Sequence, residues 1–336
     1  RWELAGATPK DDQWHQARAL AAAIRAGWPT DHWTRQQASE AGRMRDLFVV
    51  QLRLDDLAGC VDFMARHSAA GAYGATDNPI LALVLAELPP ERAAGLLSTI
   101  ITGNVARLPG ACAGLLERCA HTADQARRAA LRAPALALVA GLPDGHETVP
   151  LSYHDRPVPL TPQHLADALS ALARIDPAIA DQAVARVLSL PAVYDLDGLL
   201  LPAALLLKDG GTDPEPPALG RLRQAVLAHL DTRIALPLAP PPDWTRAAKI
   251  PCTCNHCRGL SHFLASATER VWHFKAAEND RRHVTHSAQR ANSDLDLTTD
   301  KRGRPYTLVC TKNQASHDRR VRQRAQDLEH HHRLST

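Results

Sequence analysis

The chain has 336 residues, 45% of them apolar, with 39 Lys+Arg against 36 Asp+Glu. That is enough for two or three domains with sizeable cores, and too near neutrality for a wholly basic or acidic protein. No apolar run reaches the ~20 residues that cross a bilayer, so no membrane association is expected. The first residue is Arg1, not Met, which reads as a piece of something longer. Seven cysteines, three of them crowded at one site, argue against a disulfide framework and for a reducing, intracellular compartment, cytoplasmic or nuclear.

Aromatic residues make up only 4%, and Ala and Leu dominate, which favours helix over strand. The 24 prolines are evenly spread and read as punctuation between short helices. In chain order, residues 10–28 form an amphipathic helix with Trp14, Ala17, Leu20, Ala21 and Ile24 at helical spacing. A second helix is expected from Asp31 to Val50, and another run from Leu52 to the break at Gly71-Ala72-Tyr73-Gly74. Asn78-Pro79, Pro89-Pro90 and Leu108-Pro109 each reopen helix, because proline suits a first turn. A single helix then spans Thr122 to Ala140, and residues 144–160 are a loop. Thr161 caps a helix that begins at Pro162, and Asp176-Pro177 opens its partner. A short helix around Leu199–Leu207 and a longer one from Ala218 to Arg233 complete the series. Cys60, Cys112 and Cys119 sit on apolar faces, where a free cysteine acts as a small hydrophobe. The fold class is therefore mainly α: residues 1–235 as an irregular array of antiparallel helical pairs, similar in rhythm to HEAT or tetratricopeptide repeats but without a fixed period.

Residues 236–243 are a proline-rich boundary, and beyond it the charge changes sign. Residues 241–336 carry a net +7 and the remainder −4. Residues 244–336 read as a small basic α+β module. Leu260–Ser266 forms a short helix, Arg270–Lys275 a half-buried strand, and 278–291 a helix. Tyr306–Cys310 is a second strand. A last helix runs from Gln314 to Arg333 with Val321, Ala325 and Leu328 inward.

This module opens on Cys252-Thr253-Cys254-Asn255-His256-Cys257. Zinc takes about four soft ligands at roughly 2.0–2.3 Å, and a Cys-x-x-Cys turn supplies two. Cys252, on backbone held extended by Pro251, points to the side of Cys254 and supplies a third. Surface thiols or a redox pair are the alternatives, but a redox pair usually accompanies a βαβ pattern and has no use for the third cysteine. Structural Zn2+ is the expected cofactor. With three thiolates bound it is a poor Lewis acid, and no Gly-x-Ser-x-Gly, phosphate loop or His-Glu-x-x-His accompanies it.

The order Cys252, Cys254, Cys257, Leu260, Phe263, Leu264, then Arg282-His283, then Thr299 and Gly303, Pro305-Tyr306-Thr307-Leu308-Val309 and Lys312, resembles the C-terminal region of large, poorly characterised 2-oxoglutarate/Fe(II) oxygenase-like proteins. Asp77-Asn78-Pro79 and Ala111–Leu116 resemble their middle region. The resemblance implies an oxygenase domain upstream. That domain itself is not expected here, since a jelly roll needs eight strands and residues 1–240 offer almost none. The stretch that matches the family favours His283 as fourth ligand, with Cys310 next and His262 a weaker alternative. His256 faces outward from its turn, and His286 reads as a surface side chain.

Two functions compete. The first is a non-catalytic scaffold, with a protein partner on the helical array and a zinc-stapled cap. The second is nucleic-acid binding through Arg302, Arg304, Lys312, Arg319, Arg320, Arg322 and Arg324, which as charge alone yields only salt-sensitive, sequence-independent affinity. Few aromatics are present to stack on bases, so the scaffold is favoured.

Overall fold

The computed structural model describes residues 11–27, 47–51, 53–54, 56–69, 73–146, 157–211 and 214–336. Proline sets the rhythm of the helices. They are α1 (Asp11–Ala26), α2 (Leu57–Ala69), α3 (Asn78–Glu87), α4 (Pro90–Asn104), α5 (Pro109–His121), α6 (Gln125–Ala130), α7 (Arg132–Ala140), α8 (Pro162–Ile175), α9 (Pro177–Ser189), α10 (Leu201–Asp209) and α11 (Pro217–Ile234). A proline occupies one of the first two positions of α3, α4, α5, α8, α9 and α10, where its missing N–H costs no intrahelical bond. Thr161 Oγ1 accepts from the His164 amide at 3.3 Å, so the expected cap is present, and Asp176 caps the partner helix by accepting from the Ala178 amide at 2.8 Å.

The chain divides into two compact units, residues 1–229 and 230–336. Within the first, α5 is the hub, packing on α3, α4, α7 and most extensively α8. Its first turn is small and buried (Gly110, Ala111, Cys112 and Ala113), which lets α8 approach closely. A Cβ added at Gly110 would stand 2.2 Å from His164 Nδ1. Tyr73, Asn78 and α5 are tied through the core: Tyr73 Oη donates to Asn78 Oδ1 at 2.8 Å, and Asn78 Nδ2 to the Ala111 carbonyl at 2.9 Å.

Two expectations for this unit are corrected. Residues 122–140 do not form one helix; the chain breaks at Leu131 between α6 and α7. Pro134 lacks an N–H, and its ring conflicts with the carbonyl four residues earlier. In α1 the apolar stripe is not an inner face throughout: Ala21 is buried, whereas Leu20 is 59% exposed. Most of the expected helix Asp31–Val50 lies outside the described residues, as does most of the loop 144–160; residues 47–51 are helical, with Leu47 and Phe48 buried.

The second unit contains α12 (Asn255–Ala265), β1 (Val271–Lys275), α13 (Glu278–Arg290), β2 (Leu295–Asp300), β3 (Thr307–Lys312) and α14 (Ala315–Ser335). The three strands form an antiparallel sheet in the order β1-β3-β2. Trp272 and Leu297 flank Cys310, and Phe274 and Thr299 flank Leu308. That face closes on Leu260, Phe263 and Leu264 of α12 and Val284 and Ala288 of α13. β2 was not expected. Its Leu-Asp-Leu-Thr-Thr-Asp sequence has no aromatic, Val or Ile, and its two aspartates are residues that strands disfavour.

The division at 229/230 precedes the proline-rich stretch at 236–243 because the last turn of α11 is bound to α14. Arg233 Nε donates to Asp327 at 3.0 Å, His331 pairs with Asp231 at 3.0 Å, and Arg324 donates to the carbonyls of Ile234 and Leu236. These groups also correct the inner face of α14. Val321, Ala325 and Leu328 are exposed, Leu328 by 51%, while Asp327 and Leu334 are buried. The face docks through charge and hydrogen bonding to helix-terminal carbonyls, which a hydrophobic period does not report. Among the described residues no helix is long and apolar enough to cross a membrane.

Candidate metal centre

Helix α12 starts earlier than its apolar pattern, at Asn255, so the Cys-x-x-Cys segment is the helix N-terminus itself. Cys254 is the N-cap, with extended backbone (φ −63°, ψ 162°), and its sulfur accepts from the Cys257 amide at 3.5 Å. Cys257 lies in the first turn and is fully buried, one turn before Leu260 of the core. Cys252 precedes the helix on irregular chain and is half-buried, like Cys254. The opposite wall is α13, where His283 immediately precedes buried Val284.

His283 Nε2 lies 3.4 Å from Cys252 Sγ, 3.4 Å from Cys254 Sγ and 3.3 Å from Cys257 Sγ. The four ligand atoms all lie within 4.8 Å of one another. Four ligands at tetrahedral angles, with metal–sulfur bonds of about 2.3 Å and a metal–nitrogen bond of about 2.0 Å, would place nitrogen and sulfur roughly 3.5 Å apart. Near-equal spacing from one nitrogen to three sulfurs fits a common centre better than a chain of hydrogen bonds. The cluster could hold a metal ion. Ser287 Oγ, one turn beyond His283, is 3.4 Å from Cys257 Sγ and is placed to donate to a thiolate there.

The electrostatics differ across the cluster. Donation from the Cys257 amide, helped by the neighbouring cysteines and His283, pulls the Cys254 thiol down to about 6. Burial pushes Cys257 up to about 11, although the Ser287 contact opposes it. A cation among the four would favour both as thiolates.

The other fourth-ligand candidates stand elsewhere. Cys310 is buried in the sheet core, and burial pushes its thiol up to about 12. His262, in the last turn of α12, and His286 are exposed and outside the cluster. The His256 ring centroid lies 5.1 Å from that of Phe274, and its Nε2 is 3.7 Å from Asp280. Phe274 and Phe263 both stack on Trp272, at 5.2 and 5.9 Å. This aromatic row holds α12 against β1 and withdraws Trp272 and Phe274 from base stacking.

The basic residues do not form one track. Lys312 is corrected outright: it is 1% exposed, its Nζ donates to the Ser266 carbonyl at 2.7 Å and sits 4.5 Å from the Phe263 ring centre. Burial, and then the positive charge of Arg246, lower its pKa. Arg324 is bound to carbonyls at the end of α11, and Arg302 pairs with Asp300 at 2.9 Å. Arg302 and Arg304 belong to the β2–β3 turn, whereas Arg319 is 3.8 Å from Asp294, beside the opposite end of β2. Arg320 and Arg322 follow on α14 and are exposed. Sequence reading also missed Arg246, which is buried and donates to the carbonyls of Asn313, Asp243 and Thr245 with its guanidinium over Trp244.

The expectation that no histidine is followed two residues later by Asp or Glu, the sequence form of an oxygenase iron site, is corrected by His229-Leu230-Asp231. It lies on α11, where residues two apart face roughly 200° from each other, so the two cannot chelate one ion. No protein-family model matches this chain, and no curated protein or solved structure matches it either.

Proposed function

We propose that residues 230–336 are a zinc-stapled, non-catalytic module and that the helical unit before it is a scaffold for a protein partner. The observation that carries the zinc assignment is the placement of His283 Nε2 at 3.3–3.4 Å from all three cysteine sulfurs. Three thiolates and an imidazole suit zinc over magnesium or calcium, which prefer oxygen. Four protein ligands leave no position for water or substrate, which makes a structural role the natural one. The relation to oxygenase-like proteins belongs to the same proposal and rests on the residue order from Cys252 to Lys312.

The helical unit contributes a cleft of about 190 Å³. Its floor is Leu85, Ala93, Leu97 and Leu131, room for one apolar side chain of a partner. Nucleic-acid binding is the weaker reading, because the candidate arginines are divided between two ends of the sheet and Lys312 is inside it.

Elemental analysis of the purified full chain tests the zinc assignment, with one zinc per chain expected. A chain purified without chelator that carries no metal and gains none from excess zinc would overturn it.

A further inference from the structure

We propose that Cys254 and Cys257 form a peroxide-oxidisable pair whose disulfide ejects the metal, a regulation that rests on the zinc reading above. The helix start supplies the geometry. Cys254 is the N-cap and Cys257 lies in the first turn, with the Cys257 amide directed at Cys254 Sγ at 3.5 Å. Cys-x-x-Cys across a helix N-cap puts its two sulfurs on the same side of the first turn, where one can bond the other. Their sulfurs are within 4.8 Å, so side-chain rotation brings them to bonding distance.

Exposure sets the order of events. Cys254 is half-buried and reachable, while Cys257 is fully buried. A hydroperoxide therefore meets Cys254 before Cys257. Cys254 thiolate attacks one peroxide oxygen, the O–O bond breaks, and a sulfenic acid and hydroxide result. Cys257 thiolate then attacks Cys254 Sγ; the S–S bond forms, the S–O bond breaks and a second hydroxide leaves. Two thiolates lose two electrons, and hydrogen peroxide with two protons becomes two waters. The metal keeps only Cys252 and His283, half of its ligands.

The other nearby pair is less suitable. Cys252 precedes the helix on irregular chain and has no part in the contact between the Cys257 amide and Cys254 Sγ. The buried Cys60, Cys112 and Cys310 serve as internal controls, since nothing exposes them.

The experiment treats zinc-loaded full chain with hydrogen peroxide and follows metal release with a chromogenic chelator. The tryptic peptide from Ile250 to Arg258 carries all three cysteines, so fragmentation after alkylation identifies the bonded pair. Expected are one zinc released per Cys254–Cys257 bond, Cys252 alkylated, and recovery of zinc binding after dithiothreitol. Cys252→Ser, metal-free, should still form the bond, whereas Cys257→Ser should stop at the sulfenic acid. A chain that carries zinc and keeps it under peroxide, or bonds Cys252 instead, overturns the inference and leaves the zinc reading standing. A chain that carries no zinc yet forms the Cys254–Cys257 bond overturns the zinc reading and with it metal ejection, leaving only an oxidisable pair.

Discussion

Cys254 does two jobs with one sulfur, and they can be separated by substitution. It caps α12 by accepting from the Cys257 amide, and it faces His283 Nε2 at 3.4 Å. Serine is a good N-cap but a poor zinc ligand, so Cys254→Ser removes the ligand and keeps the cap. Alanine removes both. Structural zinc sites show apparent binding free energies of about 10–16 kcal/mol near neutral pH, or roughly 2.5–4 kcal/mol per ligand. Losing one should weaken zinc binding by about 10²–10³-fold. Without metal, Cys254→Ser should match the parent chain, while Cys254→Ala should lose about 1 kcal/mol of helix stability. Competition with a chromogenic chelator reads the affinity, and thermal unfolding in excess chelator reads the cap. Zinc affinity unchanged in Cys254→Ser, with the other three ligands intact, would refute the four-ligand site.

Further expectations follow from the packing. Gly110→Ala should cost about 1–3 kcal/mol despite alanine's better helix propensity, because its Cβ would meet the His164 ring at 2.2 Å; adding His164→Ala should recover much of that loss in denaturant titrations. For Asp327, burial alone would raise the carboxyl, but donation from Arg233 and Gln323 outweighs it and holds the pKa below the usual carboxylate range. The docking of α14 on the end of α11 is therefore stabilised above about pH 4, the unfolded carboxylate value, and loses that contribution as pH falls through the lower folded one. Asp327→Asn should flatten this acid dependence, and an unchanged profile would remove Asp327 from the linkage. Lys312→Met should leave the salt dependence of any duplex binding unaltered, since the ammonium is inside the module; a slope change near 0.9 would place it on a phosphate instead.

What was readable in the sequence follows from how local the cause is. Prolines at helix starts and the caps Thr161 and Asp176 act within a turn, so those boundaries fall where expected. The three cysteines are equally local. His283 is different: it is 26 residues from Cys257 on another helix, and no spacing rule selects it over His262 or Cys310. It entered through a resemblance, and the packing of α13 on α12 brings its ring to the three thiols. The misreadings share an origin in tertiary structure. Asp327 and Arg324 are buried or bound by partners some 90 residues away, which inverts the apparent inner face of α14. Lys312 alternates with Leu308 and Cys310 on one face of β3, and that strand period carries a cation into the core. Pro134, unlike the proline starts, lies inside an apolar pattern that continues past it.

The ligands also show why a metal here belongs to the folded module and not to the Cys-x-Cys-x-x-Cys segment alone. Bringing His283 to Cys257 closes a loop of 26 residues that contains β1. From an unfolded chain such a closure costs roughly 3.5 kcal/mol. Leu260 and Leu264 on α12 and Val284 and Ala288 on α13 share one core, so helix packing offsets part of that cost. Cys257 and His283 each stand beside those buried faces, one turn before Leu260 and immediately before Val284. Metal binding and core packing therefore favour the same arrangement of two helices. Loss of the metal should loosen the contact between α13 and the start of α12 first, because His283 is on α13 and the three cysteines lie at or just before the first turn of α12.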